Sequence, residues 1–137
     1  MSGLRASAAL AKAVHAALAA DVVVKSHLGQ PPRLYDQAPE DPIFPYLSYG
    51  EIKSENIGAD GMVLFAHTMS LHVWSRYAGR AEVLQIMDAV ATVLDKSRLT
   101  LSGSQLVSAH VLFADTFRAQ DGHTRHGLVR FHAITQD

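Results

Sequence analysis

Cysteine is absent from this sequence, so disulfide bonds, thiolate nucleophiles and cysteine-ligated zinc are all excluded. Charge is also scarce: charged residues make up 18% of the chain and the formal net charge is -1, which disfavours nucleic-acid recognition. No apolar run approaches the roughly 18 residues that a membrane-spanning helix requires. The chain does have a hydrophobic fraction of 48% in 137 residues, which is typical of a folded protein and predicts one domain over residues 1–137.

The clearest pattern is an alternating segment followed by an amphipathic one. From Met69 to Ser75, apolar and polar side chains alternate, as they do in a strand with one buried face. Trp74 lies on the less buried side of this predicted strand, together with Ser70 and His72. After Tyr77–Gly79, a stripe at helical spacing comprises Val83, Leu84, Met87, Val90, Ala91 and Leu94. The sequence therefore predicts a sheet with a helix packed on it, and neither part carries an evident catalytic group.

The first half of the chain predicts two helical segments and a strand. The apolar face of the first helix comprises Leu4, Ala8, Ala11, Val14 and Leu18. Asp21 is placed to cap a second helical segment that ends before Gly29, either as a kink or as a separate helix. Tyr46–Tyr49 is a candidate strand that Gly50 ends. The polar segment Glu51–Gly61 is then expected to form a mobile loop or a loose hairpin arm.

The second half predicts mainly strands around the amphipathic helix. Met62–Ser75 is apolar and rich in strand-forming residues, so it predicts one long strand or two joined at a bend. Val107–Phe117 and Gly127–Ile134 are two further candidates. The dipeptide Asp121–Gly122 between them is typical of a tight hairpin. The predicted order is therefore helix, strands, helix, strands.

None of the polar residues forms a recognisable catalytic or metal-binding pattern. The eight histidines include no pair at helical i, i+4 spacing and have no carboxylate at matching spacing in the same strand. We interpret them as structural or surface residues, with pH tuning of an interface as an alternative for one or two. Serine occurs without a Gly-x-Ser-x-Gly nucleophile turn. The acidic residues Glu40, Asp41, Glu51, Glu55 and Asp60 lie in predicted loops, where carboxylates are normally solvated. We therefore expect no catalytic residue, no metal and no cofactor.

Aromatic residues lie where a monomer would have difficulty burying them. Phe44, Tyr46 and Tyr49 crowd a proline-rich segment, and Trp74 shares a strand face with polar residues. Ordinary core packing and a subunit contact explain this distribution equally well. The candidate residues for contact with another subunit or partner are Phe44, Tyr46, Tyr49, Ile52, Ile57 and Trp74.

A series of short segments spread over nearly the whole chain resembles the small tail terminator, or tail completion, proteins of siphophages, prophages and gene transfer agents. The first of these segments is the N-terminal alanine- and leucine-rich helix. The others are Pro32-Arg33-Leu34-Tyr35-Asp36, Phe44-Pro45-Tyr46-Leu47, Leu71-His72-Val73-Trp74-Ser75, Tyr77-Ala78-Gly79, Leu94-Asp95, Leu99-Thr100-Leu101-Ser102-Gly103 and Asp121-Gly122 to His126-Gly127. Their order and spacing carry the resemblance, since each segment alone is unspecific.

The resemblance implies an α+β subunit, with an N-terminal helix and a second helix on a mostly antiparallel sheet, that assembles as a hexameric ring. Such a ring lies at the head-proximal end of the tail of a particle made in the bacterial cytoplasm. It ends polymerisation of the tail tube and joins the tail to a connector or stopper protein. The implied partners are further copies of the chain, the tail tube protein and the connector, with DNA passing through the ring without sequence-specific binding. The family has no catalytic residues to transfer.

Other functions stay open at this point. Related joining proteins share the fold and act at neighbouring positions, as connector, stopper or tail tube subunits. A small-molecule or peptide-binding module would use Tyr46, Tyr49 and Trp74 to line a pocket. The least favoured alternative is a metal-dependent enzyme that uses the histidines.

Overall fold

The computed structural model describes residues 2–137, with side chains from Leu4 onward, so Met1 of the predicted domain lies outside the described residues. The helices are α1 (Ser2–Ala20), α2 (Val22–Leu28) and α3 (Ala81–Leu94). The strands are β1 (Leu34–Tyr35), β2 (Tyr46–Asn56), β3 (Leu64–Ser75), β4 (Gln105–Arg118) and β5 (Arg125–Gln136). The predicted α+β class is confirmed.

One sheet contains all five described strands, in the order β1-β2-β3-β5-β4. The short β1 runs parallel to β2, and every other neighbouring pair is antiparallel. The central strands β3 and β5 pair along their whole length of 12 residues each. β4 has only β5 as a neighbour, and β1 covers β2 only at Leu47 and Ser48. The sheet therefore has two long free edges, one along β4 and one along most of β2.

The helices cover one face of this sheet. Met69, Leu71 and Val73 of β3 are buried on that face, as their alternation predicts. Asp21 caps α2 by accepting a hydrogen bond from the backbone N–H of Val24 at 3.0 Å, and a bend of 79° makes α2 a separate helix. The buried residues that α1 and α3 contribute to the core are Leu10, Val14, Leu18, Val83, Ile86, Met87, Ala89, Val90 and Leu94.

Three residues that were predicted to lie in the core, two in α1 and one in α3, are exposed instead. Leu4 and Ala8 are exposed, because α1 presents the face that contains Ala6, Leu10 and Val14 to the sheet. In α3, Leu84 is 45% exposed and Ile86 is buried instead. In both helices the apolar residues extend over more than one face, so their spacing alone does not fix which face meets the sheet.

The strand that begins at Tyr46 does not end at Gly50. It continues to Asn56, with a register shift between Tyr49 and Ile52. A Cβ atom at Gly50 would lie 2.6 Å from Nε2 of His72, so the glycine admits a neighbouring side chain within the sheet instead of ending the strand. Of the two predictions for the segment after Gly50, the mobile loop is wrong for residues 51–56. They form a hairpin with β3, whose connection is Ile57–Val63.

The predicted hairpin between the last two strands is confirmed. β4 and β5 pair from Gln105 and Gln136 to Arg118 and Arg125. The carboxylate of Asp121 organises the connection by accepting hydrogen bonds from the backbone N–H groups of His123 and Thr124 and from the hydroxyl of Thr124. These bonds lower the pKa of Asp121 to about 2.

Helix α3 approaches the sheet closely at Gly127 of β5. A Cβ atom there would collide with the side chain of Met87 and would lie 2.9 Å from Cγ2 of Val83. Helix α3 therefore rests directly on the backbone of β5. We predict that Gly127→Val lowers the free energy of unfolding by about 1–3 kcal/mol, because the side chains of α3 must move to admit it.

Denaturant unfolding followed by circular dichroism measures this change. The control is Ala66→Val, which adds bulk to the uncovered face of β3 and should change the free energy of unfolding by less than about 0.5 kcal/mol. Equal losses for the two variants would show that α3 does not limit the space at Gly127.

Candidate assembly surface

The face of the sheet that no helix covers carries a row of aromatic side chains. Tyr46, Trp74, His126 and Phe117 occupy directly paired positions on β2, β3, β5 and β4. We call these residues the aromatic row. The ring centres of Trp74 and His126 are 3.9 Å apart and the two planes differ by only 11°, so the rings stack. Tyr46 stacks on the other side of Trp74 at 6.3 Å, and Phe117 meets His126 edge to face at 4.4 Å. The row therefore spans four strands at one end of the sheet.

The polar atoms of the aromatic row have partners within the sheet. Trp74 donates a hydrogen bond from Nε1 to the hydroxyl of Ser48 at 3.0 Å. Nδ1 of His72 lies 2.7 Å from Nε2 of His126, so one ring donates to the other. Burial lowers the pKa of His126 to about 4, and the nearby His72 adds to this effect. Burial also lowers the pKa of His72, against the opposing influence of Glu51. Both rings are thus held neutral near pH 7.

The aromatic row continues beyond Tyr46 into the proline-rich segment, through the ring of Phe44 and the guanidinium of Arg76. The rings of Phe44 and Tyr46 are 5.1 Å apart. The guanidinium carbon of Arg76 lies 4.2 Å from the ring centre of Phe44, a cation–π contact. The same guanidinium is 3.9 Å from the carboxylate of Asp121. This contact connects the row to the β4–β5 connection.

The middle of the uncovered face carries charges of both signs. The carboxylate of Glu51 accepts a hydrogen bond from Ser70 at 2.9 Å and lies 3.7 Å from the guanidinium of Arg130. Arg130 also lies over the ring of Phe113, at 5.4 Å. Lys53 and Glu55 form an exposed ion pair at 2.7 Å on the same face. The uncovered face has no strong field of one sign, in keeping with the near-neutral chain.

The six residues predicted to make subunit or partner contacts fall into three separate places. Phe44, Tyr46 and Trp74 lie together on the uncovered face. Tyr49 points to the helix side, where its hydroxyl is 2.9 Å from Nδ1 of His15. The other two candidates lie toward the far end of the β2–β3 hairpin, where Ile52 is 36% exposed and Ile57 46%.

This distribution corrects the alternative of a ligand pocket lined by Tyr46, Tyr49 and Trp74. Tyr49 lies on the opposite face of β2 from Tyr46, because the two positions differ by an odd number of residues. The cavity beside Tyr49 is lined by residues of α1, and the one beside Tyr46 and Trp74 is a separate surface depression. The three rings do not line one site.

The histidines form pairs that sequence reasoning missed. Besides His72 with His126, the rings of His110 and His132 are 5.1 Å apart on the uncovered face. His67 is buried on the other face, between the hydroxyls of Ser54 and Thr135 at 2.7 and 2.8 Å. Across residues 2–137, no three histidine or acidic residues come together in a way that could hold a metal ion.

Eight of the exposed large apolar side chains lie on or next to the two edges of the sheet. One group lies along β4 and consists of Val107, Leu112, Phe113 and Phe117. The other lies on the β2–β3 hairpin and consists of Ile52, within β2, and Ile57, Met62 and Val63, in the connection at its far end. All eight are between 36% and 54% exposed. Sequence reasoning missed the β4 group, because nothing in the chain marks β4 as the last strand of the sheet.

Residues 12–136 match the family described as "Tail completion protein gp17". The chain belongs to this family of tail completion proteins. No curated protein matches the sequence. The fold is similar to that of a chain in the solved virion of a native gene transfer agent particle, with a TM-score of 0.88. The two chains are 26% identical, and the match covers 96% of this chain and 98% of that one.

The family makes this tail completion protein a structural component of a phage-type tail, located in the virion tail and assembled with other phage proteins. The resemblance on which the sequence-based prediction depended is thereby confirmed. Within residues 2–137, no single helix is long and apolar enough to cross a membrane, and only α1 and α2 together, bent by 79°, have the length and composition.

The half-buried His126 of the aromatic row should make the stability of this tail completion protein depend on pH. The unfolded chain binds a proton at His126 near pH 6.5, whereas the folded chain binds it only near pH 4, so acidification across this window favours unfolding. We predict that the free energy of unfolding falls less steeply between pH 6.5 and pH 4 in His126→Phe than in the natural chain.

Denaturant unfolding at a series of pH values measures the slope. Tyr46→Phe is the matched control, since Tyr46 belongs to the same row but stacks on Trp74, and burial raises its pKa above the usual 10.0, so the variant should keep the natural slope. An unchanged slope in His126→Phe would show that this histidine does not titrate differently in the folded and unfolded chains.

Proposed function

We propose that this protein forms a closed, hexameric ring at the head-proximal end of the tail tube, where it ends tube growth and joins the tail to the head connector. The proposal rests first on its membership of the tail completion family. The observation that carries it is the pair of unlike apolar edges on opposite sides of one sheet, along β4 and at the end of the β2–β3 hairpin.

Two unlike edges on one subunit are what a ring requires. A twofold dimer uses the same patch on both subunits, whereas a ring joins one patch of each subunit to a different patch of the next. The groups along β4 and at the hairpin end differ in residues and in geometry, and they lie at opposite edges of the sheet. When this contact is repeated around an axis until the ring closes, both edges of every subunit are covered. An open chain of subunits would leave one edge free at each end.

The ring would then have two remaining sides for other proteins. In this proposal one side caps the tail tube protein and the other meets the connector or stopper protein, with the chain acting as a single tail-terminator domain over residues 1–137. DNA passes through the ring without sequence-specific recognition, in agreement with the mixed charges of the uncovered face. The role requires no catalytic group and no cofactor.

Particles that lack this protein provide the test. With the gene deleted in the bacterium that produces the particles, negative-stain imaging should show over-long tails, tails separated from heads, or both. Restoring the gene from a plasmid is the control and should restore tails of uniform length attached to heads.

The same images distinguish the neighbouring roles. Complete absence of tails would indicate a tail tube subunit instead, and normal tails with heads that have lost their DNA would indicate a stopper. Normal particles in the deletion strain would contradict every role in head–tail joining.

A further inference from the structure

We propose that the tip of the β2–β3 hairpin, residues Ile57–Val63, inserts into a groove beside β4 of the next copy and so forms the ring contact. We call these residues the hairpin tip. The groove, here the β4 groove, lies between the segments Ser97–Leu101 and Ser104–Ser108 and encloses about 640 Å³. This inference rests on the proposed ring and identifies the two surfaces that meet in it.

The hairpin tip has a defined shape. The backbone N–H of Ile57 donates to the carbonyl of Leu64 at 3.0 Å, and that of Met62 donates to Ala59 at 2.9 Å. A Cβ atom at Gly58 would collide with the carbonyl of Met62, so the turn depends on this glycine. The tip is thus held by its own backbone and can present side chains in a fixed arrangement.

The hairpin tip presents apolar side chains around one charge. Ile57, Met62 and Val63 are each almost half exposed. Asp60 is the only charged residue among Ile57–Val63, and it is exposed at the turn. Transfer of this tip from water into a groove would cost much less hydration free energy than transfer of a fully charged loop.

The β4 groove has the matching composition. Leu99, Leu101, Leu106 and Val107 form the apolar part of its lining, and the other six described lining residues are polar. Arg98 is the only charged residue among the described lining residues, opposite in sign to Asp60. The hydroxyl oxygen of Ser97 is buried and has no hydrogen-bond partner among the described residues. The groove therefore combines apolar and polar side chains with a single cation, which suits an incoming segment that carries apolar side chains around one acidic group.

Beside this groove, two hydrogen bonds with the preceding segment cover a short part of the outer edge of β4. The carbonyl of Ala109 accepts a hydrogen bond from Lys96, and the N–H of Val111 donates to the carboxylate of Asp95. No other strand among residues 2–137 pairs with the outer side of β4. On its outer side, the backbone of Gln105–Ser108 thus borders the groove and pairs with no other strand.

The tip and the groove lie at the same end of the strands. Leu64, which follows the tip, pairs with Gln136, and Gln136 also pairs with Gln105 at the start of β4. The N–H of Asp137 donates to Val63, so the end of β5 lies between the two features. They are therefore level with each other along the strands but at opposite edges of the sheet.

This level placement favours a ring over a filament. A contact between surfaces at different heights shifts each subunit along the axis and generates an open helix, whereas surfaces at equal height allow closure around an axis that follows the strands. The hairpin tip and the β4 groove satisfy that condition, and their charges are opposite. A second copy of this chain is therefore the occupant that the groove fits.

Cysteine cross-linking tests the contact directly, because the natural chain has no cysteine. Asp60→Cys and Arg98→Cys are prepared as separate proteins and mixed with tail tube protein under oxidising conditions. A disulfide-linked dimer should form in the mixture, and far less in either protein alone, because each has only one of the two positions. The control mixes Asp60→Cys with Arg118→Cys, at the opposite end of β4, and should give no more dimer than the single proteins do.

The outcome separates this contact from the proposed ring. A ring seen by electron microscopy without the mixed disulfide would overturn the contact and leave the proposed function standing. Absence of any ring from the natural chain, with tubes left uncapped, would overturn both. Cross-linking to tail tube protein instead of a second copy would assign the groove to a different occupant and overturn the proposal.

Charge reversal provides a second measurement that needs no disulfide. Asp60→Arg and Arg98→Asp should each raise the concentration at which half of the protein is assembled by about three- to tenfold, because each brings like charges together. Combining the two substitutions should restore most of the loss. Equal defects in the single and double variants would show that these two charges do not meet.

Discussion

The antiparallel pairing of β3 with β5 is the interaction on which the rest of the structure depends. Over 12 residues of each strand it fixes which side chains meet the helices and which lie on the uncovered face. A slip of one residue would exchange the two sets, placing Trp74 against α3 and Val73 in water. Gly127 adds a local constraint on the same pairing, because only a glycine lets α3 rest on the backbone of β5.

The central position of this pair also determines the assembly surfaces. Since β3 and β5 occupy the middle of the sheet, β2 and β4 become its edges, and apolar residues on or next to both are partly exposed in the described chain. Natural sheets normally protect such edges with charge or cover them. In a subunit of a phage-type tail, these edges can stay uncovered in the isolated chain, because a neighbouring subunit can cover them after assembly.

Much of the fold could be predicted from local patterns, and the rest depended on contacts distant in sequence. The alternation from Met69 to Ser75 indicated both faces of β3 correctly, because its period matches the strand repeat. Gly50 was misinterpreted, since its function is to make room for His72, a residue brought beside it by strand pairing. The row from Tyr46 to Phe117 and the pairing of His72 with His126 depend on the register of four strands, which no short segment encodes. The groove beside β4 was missed for the same reason.

If two unlike edges of one sheet close a ring, the assembled protein has one defined mass, and that mass can be measured. Native mass spectrometry and light scattering would be carried out on the purified chain, alone and after incubation with tail tube protein. We expect a single closed oligomer of hexameric mass, formed alone or on the tube template, and no larger species. A chain that stays monomeric in both conditions, or that forms an open-ended series of sizes, would contradict it.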